Sequence, residues 1–381
     1  MCNPLASARL ELPPTISDFE RVAAEVLPPG PLGYYAGGAG DEITLRDNVA
    51  AWQRLALRPR VMVDCTVRDP STTVLGRRHA HPLIVAPTAY HRLATPEGEA
   101  ATARAAAAAG ATYCLSTLAT MGIGELATRA PEATRWFQLY VLKDRAVTRD
   151  MVAAAVEHGF EALVITVDLP VLGTRERDVR SGFVVGEATD IPNLSAAGAS
   201  GTINMLDTAA LIDPSLTWDD IGRVAAESGL PVLVKGVLTP EDARRAADSG
   251  AAGVVVSNHG GRQLDTVLSG ADALPAIVDE VGAEFDVLVD GGIRRGTDVV
   301  KAMALGARAV LVGRPVLWGL AVGGEEGARR VLELLLAELD VALALTGCPR
   351  AAELDRSWVQ LAPWAHGSPA RPSGRGRTAA R

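Results

Sequence analysis

From Pro82 to Gly347 the chain repeats one pattern: a short, continuous apolar run ends on a polar residue, and a stretch with apolar positions at helical spacing follows. The runs are Pro82–Pro87 (PLIVAP), Thr112–Thr117 (TYCLST), Trp136–Val141 (WFQLYV), Ala162–Asp168 (ALVITVD), Pro231–Gly236 (PVLVKG), Gly253–Asn258 (GVVVSN), Asp286–Gly291 (DVLVDG) and Ala309–Arg314 (AVLVGR). Continuous rather than alternating apolarity suits parallel strands covered on both faces, because neither face meets water. Thr239-Pro240-Glu241-Asp242 carries a helix-start signal, a capping hydroxyl before Pro with acids in the first turn, and Pro96–Glu99 and Gly296–Asp298 are similar. Gly110, Gly159, Gly250 and Gly306 fall where helices should stop. Eight such βα units predict an α/β fold closed as a (β/α)8 TIM barrel, with a doubly wound open sheet as the alternative.

Three segments lie outside the repeat. Residues 15–80 precede the first strand and are expected to form helices and a small cover over one end of the barrel. Residues 182–216, rich in Gly, Ala, Ser and Asp, interrupt the fourth unit and predict a mobile loop beside the barrel mouth. The expected organisation is a flexible N-terminus (1–14), one barrel domain (15–361) and a disordered tail (362–381).

Composition narrows the picture. A length of 381 residues fits one barrel with additions, and the 48% hydrophobic content, mostly Ala, Val and Leu, suits alanine-rich helices around short strands. The net charge of −8 argues against a nucleic-acid partner, which needs clustered Lys and Arg. Cys2, Cys65, Cys114 and Cys348 have no metal-type spacing and read as free thiols, so no metal is expected. No apolar run approaches the ~20 residues of a membrane span. The N-terminus lacks the apolar core of a signal peptide, and Thr378–Arg381 is not a peroxisomal address, so the expected location is cytoplasmic.

Function in such a barrel gathers at the C-terminal ends of the strands. In order, those ends deliver Thr88, Ser116, Gln138 with Tyr140, Thr166 with Asp168, Lys235, His259, Asp290 and Arg314. Core packing has no need for a polar group at every strand end. The last two units carry Asp290-Gly291-Gly292-Ile293-Arg294 and Gly313-Arg314-Pro315, two Gly/Arg turns where this fold usually binds phosphate. The string Ser257-Asn258-His259-Gly260-Gly261-Arg262-Gln263-Leu264-Asp265 sets a proton acceptor beside an anion clamp. An imidazole suits a base because its unperturbed pKa, ~6.5, lies near working pH. Gly37–Gly40 lacks both the preceding strand and the spacing of a dinucleotide fingerprint. His79, His81 and His91 have no ligand spacing and are expected on the surface or in loops, and Leu332–Leu336 belongs to a buried last helix.

The SNHGGRQLD string resembles the signature of the FMN-dependent 2-hydroxy acid oxidase and dehydrogenase family. The resemblance runs from about Ile16 to Trp358 through Tyr34–Ala39, Ala86-Pro87-Thr88-Ala89, Phe137–Tyr140, Thr166–Asp168 with Arg175, Val234–Gly236 and Asp290–Arg294. It implies FMN as cofactor and His259 as base, with Asp168 stabilising the imidazolium. Arg175 and Arg262 would hold the substrate carboxylate, Tyr34 would add a hydrogen bond to it, and Tyr140 would bond the hydroxyl. Lys235 would face the flavin N1/O2 edge, and Thr88, Ser116, Gln138 and Thr166 would bond the ring, with Pro87 and Ala89 beside them. Asp290, Gly291, Gly292, Arg294, Gly313 and Arg314 would hold the ribityl phosphate.

The resemblance further implies a small 2-hydroxy acid as substrate, O2 as acceptor, and a homotetramer or homo-octamer. Leu118 stands where small-substrate members often carry an aromatic residue, and Tyr90-His91-Arg92-Leu93 resembles the matching segment of 4-hydroxymandelate oxidases. Both imply an aryl substrate such as mandelate or 4-hydroxymandelate, with glycolate or L-lactate as the alternative. A flavin-free phosphate-binding isomerase or lyase is the alternative of another class.

Overall fold

The computed structural model describes residues 12–183, 190–197 and 205–366. Its core is a closed barrel of eight parallel strands: β1 (Leu83–Val85), β2 (Thr112–Leu115), β3 (Arg135–Leu139), β4 (Leu163–Thr166), β5 (Val232–Val237), β6 (Gly253–Val256), β7 (Asp286–Asp290) and β8 (Ala309–Val312). Each strand pairs with its neighbours in sequence, and β8 closes on β1 with Val310 opposite Leu83. The closed ring and its helices are the (β/α)8 TIM barrel that the repeat predicts, and the open sheet is excluded.

The apolar runs are continuous because their two faces enter two different cores. Ile84, Cys114, Trp136, Val164, Leu233, Val255, Leu288 and Leu311 meet inside the barrel. Their neighbours Leu83, Val85, Leu163, Val254, Val287 and Val310 pack outward with the helices. Nearly every one of these side chains is excluded from water, so the strands carry no polar face.

Residues 12–81 serve both ends of the barrel, not one. The hairpin of Thr72–Val74 with Arg77–His79 closes the N-terminal mouth: Val74 joins the inner core, Leu75 N donates to Asp286, and Thr72 Oγ1 donates 2.8 Å to Arg308 O. Three helices, α1 (Ile16–Val26), α2 (Pro29–Ala36) and α3 (Ile43–Gln53), belong to the other side. Thr15 caps α1 by accepting from Asp18 N, and Ile16, Phe19 and Ala23 form its buried stripe. From α2 come Tyr34 and Tyr35, and from α3 come Asn48 and Trp52, whose Nε1 donates 2.8 Å to Gly291 O.

The segment 182–216 is more structured than its composition predicts. Within its described part, Pro192–Ala197 form a 3-10 turn and Met205–Ala210 a helix, with Thr208 and Ile212 buried. Elements of six residues are too short to impress a period on the sequence. Order also continues past 361: Pro363–His366 form a 3-10 turn, and Trp364 Nε1 donates 3.0 Å to Gln53 O. The rest of the expected tail, and residues 1–11 of the expected flexible N-terminus, lie outside the described residues. The Leu332–Leu336 run lies in the last helix, Arg314–Thr346, with Leu332 and Leu335 buried. No helix among the described residues is long and apolar enough to cross a membrane.

Helix α3 starts without a cap of its own, since Glu42 makes no capping hydrogen bond. Asp265, far along the chain, takes that role: Oδ1 accepts from Thr44 N at 2.8 Å and Oδ2 from Ile43 N at 3.2 Å. Burial opposes its charge, yet these N–H groups hold the carboxyl below its ordinary pKa. A depressed carboxylate contributes stability above the unfolded value, near ~4, and loses it as pH falls through the folded value. Asp265→Ala should therefore lower stability by about 1–2 kcal/mol at pH 7 in urea denaturation. The deficit should shrink as the pH is taken below ~4; a deficit independent of pH would argue against the cap.

Candidate active site

With the N-terminal mouth closed, the opposite mouth holds a cavity of roughly 1160 Å³ including its opening. All the residues singled out from the sequence line this one cavity except Asp168, which stands behind His259.

Two buried pairs, one ionic and one a hydrogen bond between a carboxylate and an imidazole, organise its floor. His259 Nδ1 lies 2.8 Å from Asp168 Oδ1. His259 occupies the left-handed region at φ +58°, which a non-glycine residue adopts at a cost, and its backbone N donates 3.0 Å to Ser257 Oγ. The same Ser257 hydroxyl accepts from Lys235 Nζ at 2.9 Å, and Lys235 pairs with Asp290 Oδ2 at 3.1 Å. His259 and Lys235 thus share one serine anchor.

Burial pushes the His259 pKa down; Asp168 opposes this, while Lys235 and Arg175 add to the depression. The ring is therefore neutral at pH 7, with its Nδ1–H donating to Asp168 and the Nε2 lone pair free to accept. Burial works against the Asp168 charge, but His259 and Lys235 together hold that carboxyl below its ordinary range. For Lys235, burial is outweighed by Asp290 and Asp168, so its pKa is raised and it stays charged.

Above this floor stand four arginines whose described guanidinium hydrogen bonds avoid carboxylates. Arg175 donates to Arg262 O and Gln263 Oε1, both at 3.1 Å. Arg262 reaches the Tyr34 and Gly37 carbonyls and lies 4.6 Å above the Tyr34 ring. Arg314 donates to Tyr35 O, Gly260 O and Gly37 O at 2.9, 3.0 and 2.9 Å, and Arg294 to Ile293 O at 3.1 Å. Burial and the neighbouring Arg262 lower Arg175 to about 10 and Arg314 to about 9. Asp178 and Glu20 lie near enough to act on these charges, yet no carboxylate among the described residues hydrogen-bonds the guanidinium groups, which leaves room for an anion.

The walls also hold polar atoms awaiting a partner. Gln138 accepts through Oε1 from Ser116 Oγ at 3.2 Å and Thr117 N at 3.1 Å, while its Nε2 is buried and unbonded. Thr166 Oγ1 and Asp290 Oδ1 are likewise buried without a partner among the described residues. Each such atom costs about 1–3 kcal/mol unless a ligand satisfies it. At Gly292 (φ +79°) a Cβ would lie 1.8 Å from Asn48 O, so only glycine lets backbone and α3 approach this closely.

Several residues shape the site in roles that the sequence does not announce, Gln263 and Asn258 of the SNHGGRQLD string among them. Gln263 donates through Nε2 to the carbonyls of Asp168 and Val171, each at 3.0 Å, while its Oε1 takes Arg175, tying the loops after β4 and β6 together. Asn48 and Asn258 bond each other reciprocally at 2.9 and 2.8 Å, fastening α3 to the loop after β6. Leu169, Leu172, Thr208, Ala209 and Ile212 add to the cavity wall. Of the histidines expected on the surface or in loops, His81 and His91 do lie in connections, before and after β1, but both are buried, 5% and 0% exposed, because each finds internal hydrogen-bond partners. Among the described residues no cluster could hold a metal ion.

The model of a family described as "FMN-dependent dehydrogenase" matches residues 23–361. An L-lactate oxidase of Nostoc sp. is 47% identical over 92% of this chain and 98% of its own length. A peroxisomal (S)-2-hydroxy-acid oxidase of Oryza sativa subsp. japonica is 49% identical over 91% and 96%. A crystal structure of mandelate oxidase with (S)-4-hydroxymandelic acid superposes with a TM-score of 0.86 at 44% identity, covering 91% of this chain and 99% of that one.

In histidine NMR, the His259 ring should titrate below the ordinary ~6.5. Asp168→Asn, which removes the main influence raising that pKa, should move it lower still. A midpoint above ~6.5 in the unaltered protein, or an upward move in the variant, would contradict the geometry.

Proposed function

The chain belongs to the FMN-dependent dehydrogenase family, and from that membership we propose that it oxidises an aryl L-2-hydroxy acid, mandelate or 4-hydroxymandelate. The products are the 2-keto acid and, with O2 as acceptor, hydrogen peroxide. The observation that carries this reading is a neutral imidazole backed by a carboxylate, next to two arginines whose described hydrogen bonds all go to neutral oxygens, in a cavity with a leucine-rich wall.

The residues fit FMN. A flat ring with a polar edge matches the unbonded Gln138 Nε2 and Thr166 Oγ1, with Thr88, Ser116, Pro87 and Ala89 completing the ring site, and the unbonded Asp290 Oδ1 is left for the ribityl chain. The phosphate end matches Gly291, Gly292, Arg294, Gly313 and Arg314, and Lys235 supplies a fixed positive charge to the ring. Bound there, FMN would supply the two-electron redox chemistry, with oxygen as the terminal acceptor. A flavin-free isomerase or lyase is set aside by the family.

The remaining work falls to side chains. Arg175 and Arg262 hold the substrate carboxylate, with Tyr34 beside them. Burial raises the Tyr140 pKa, so its hydroxyl remains a neutral donor for the substrate oxygen. His259 accepts the proton at Nε2, and the imidazolium formed is stabilised by Asp168 through the Nδ1 hydrogen bond. A hydride route and a carbanion route place the same demand on this base.

The aryl assignment rests on Leu118, Leu169, Leu172, Ala209 and Ile212, which offer apolar surface rather than hydrogen bonds, and on the likeness to mandelate oxidase. The likeness to L-lactate oxidase favours a second reading, a short-chain substrate such as lactate or glycolate.

His259→Ala should lower kcat by about 10³-fold while the protein stays yellow. Steady-state kinetics should give L-mandelate a kcat/KM at least about tenfold above L-lactate and glycolate, with one peroxide per turnover in air; a glycolate preference would overturn the aryl assignment. Leu118→Trp should cut kcat/KM for L-mandelate about tenfold or more and leave glycolate within about threefold.

A further inference from the structure

His91 opens the 3-10 turn His91–Leu93 directly after β1 and is fully buried. Glu99, also fully buried, fixes this turn by accepting from His91 N at 3.1 Å and Thr120 N at 2.8 Å. Both ring nitrogens meet hydroxyls: Nε2 lies 2.7 Å from Thr88 Oγ1, and Nδ1 lies 2.8 Å from Thr102 Oγ1 on α4 (Gly98–Ala108). Burial lowers the His91 pKa, so the ring is neutral, with one N–H and one lone pair. One hydroxyl must therefore donate to the ring and the other accept from it.

Counting protons assigns the direction. Thr102 is fully buried, and its hydroxyl has no other partner among the described residues. A proton on Nδ1 would leave the Thr102 O–H with nothing to donate to. A proton on Nε2 satisfies every group: Thr102 donates to Nδ1, Nε2–H donates to Thr88 Oγ1, and Thr88 keeps its own proton. Thr88 lines the cavity, and His91 is its one side-chain partner among the described residues.

We propose that His91 is a positioning residue for the cofactor: by committing a lone pair of the Thr88 hydroxyl, it leaves the Thr88 proton to be donated into the cavity, to a polar atom of the bound isoalloxazine. His91 does not line the cavity and acts only through Thr88, which does. The proposal rests on reading Thr88 as a flavin contact.

The test titrates FMN into apoprotein by fluorescence quenching and records the visible spectrum and midpoint potential of the bound flavin. His91→Leu should weaken FMN binding about 5- to 10-fold and shift the visible band and potential. Thr88→Val should produce the same changes, and the double variant no more than either alone. His91→Gln, whose amide offers a donor toward Thr88 and an acceptor toward Thr102, should stay within about twofold of the unaltered protein. His91→Met serves in place of His91→Leu if the latter does not fold. A lowered Tm with unchanged affinity, spectrum and potential would reduce His91 to a packing residue and overturn the proposal. Multiplying effects of His91→Leu and Thr88→Val would overturn it too. A silent Thr88→Val would sink the reading of Thr88 as a flavin contact, whereas a strong Thr88→Val beside a silent His91→Leu would sink the role of His91 alone.

Discussion

Positive charge held away from carboxylates is the constraint around which the barrel mouth is built. Arg175, Arg262 and Arg314 spend their described hydrogen bonds on Gln263 and on the backbone carbonyls of residues 34, 35, 37, 260 and 262. Those carbonyls lie at the end of α2 and in the loop after β6, so the charges are also the clasps that hold these segments over the barrel. Neutral dipoles solvate the guanidinium groups, and Asp178 and Glu20 offset their charge only from a distance, without a direct hydrogen bond. An anionic ligand then completes a balance that folding leaves open.

The same separation of duties runs through the floor of the cavity. Lys235 has Asp290 and stays charged; His259 has Asp168 and stays neutral. Both pairs hang from one hydroxyl, that of Ser257, so neither can shift without disturbing the other. The site therefore keeps a permanent cation and a vacant base side by side, a combination that bulk water would average away.

The barrel was legible because each strand is dry on both faces and wet at one end. Val254 packs outward, Val255 inward, and His259 follows where the chain meets the cavity, so one run of letters carries both fold and site. What stayed hidden depends on partners distant in sequence. Nothing near Asn48 announces its bond to Asn258, and nothing near Asp265 announces that it caps α3. The six-residue helix Met205–Ala210, which brings Thr208 and Ala209 to the cavity, is too short to show a period. His91 looked like a loop residue because no ligand spacing surrounds it; its role as an internal bridge exists only once α4 brings Thr102 beside β1.

Gln263 carries a consequence of its own. Its carbonyl oxygen receives Arg175 and Gly173 N, while its NH2 group serves two carbonyls, so the amide can sit in one orientation only. Glutamate differs by a single heavy atom, yet would set a carboxylate oxygen against the carbonyls of residues 168 and 171 and neutralise a neighbouring guanidinium. Because one amide couples two loops, their configurational entropy is surrendered when the chain folds, and a ligand arriving later finds little left to freeze.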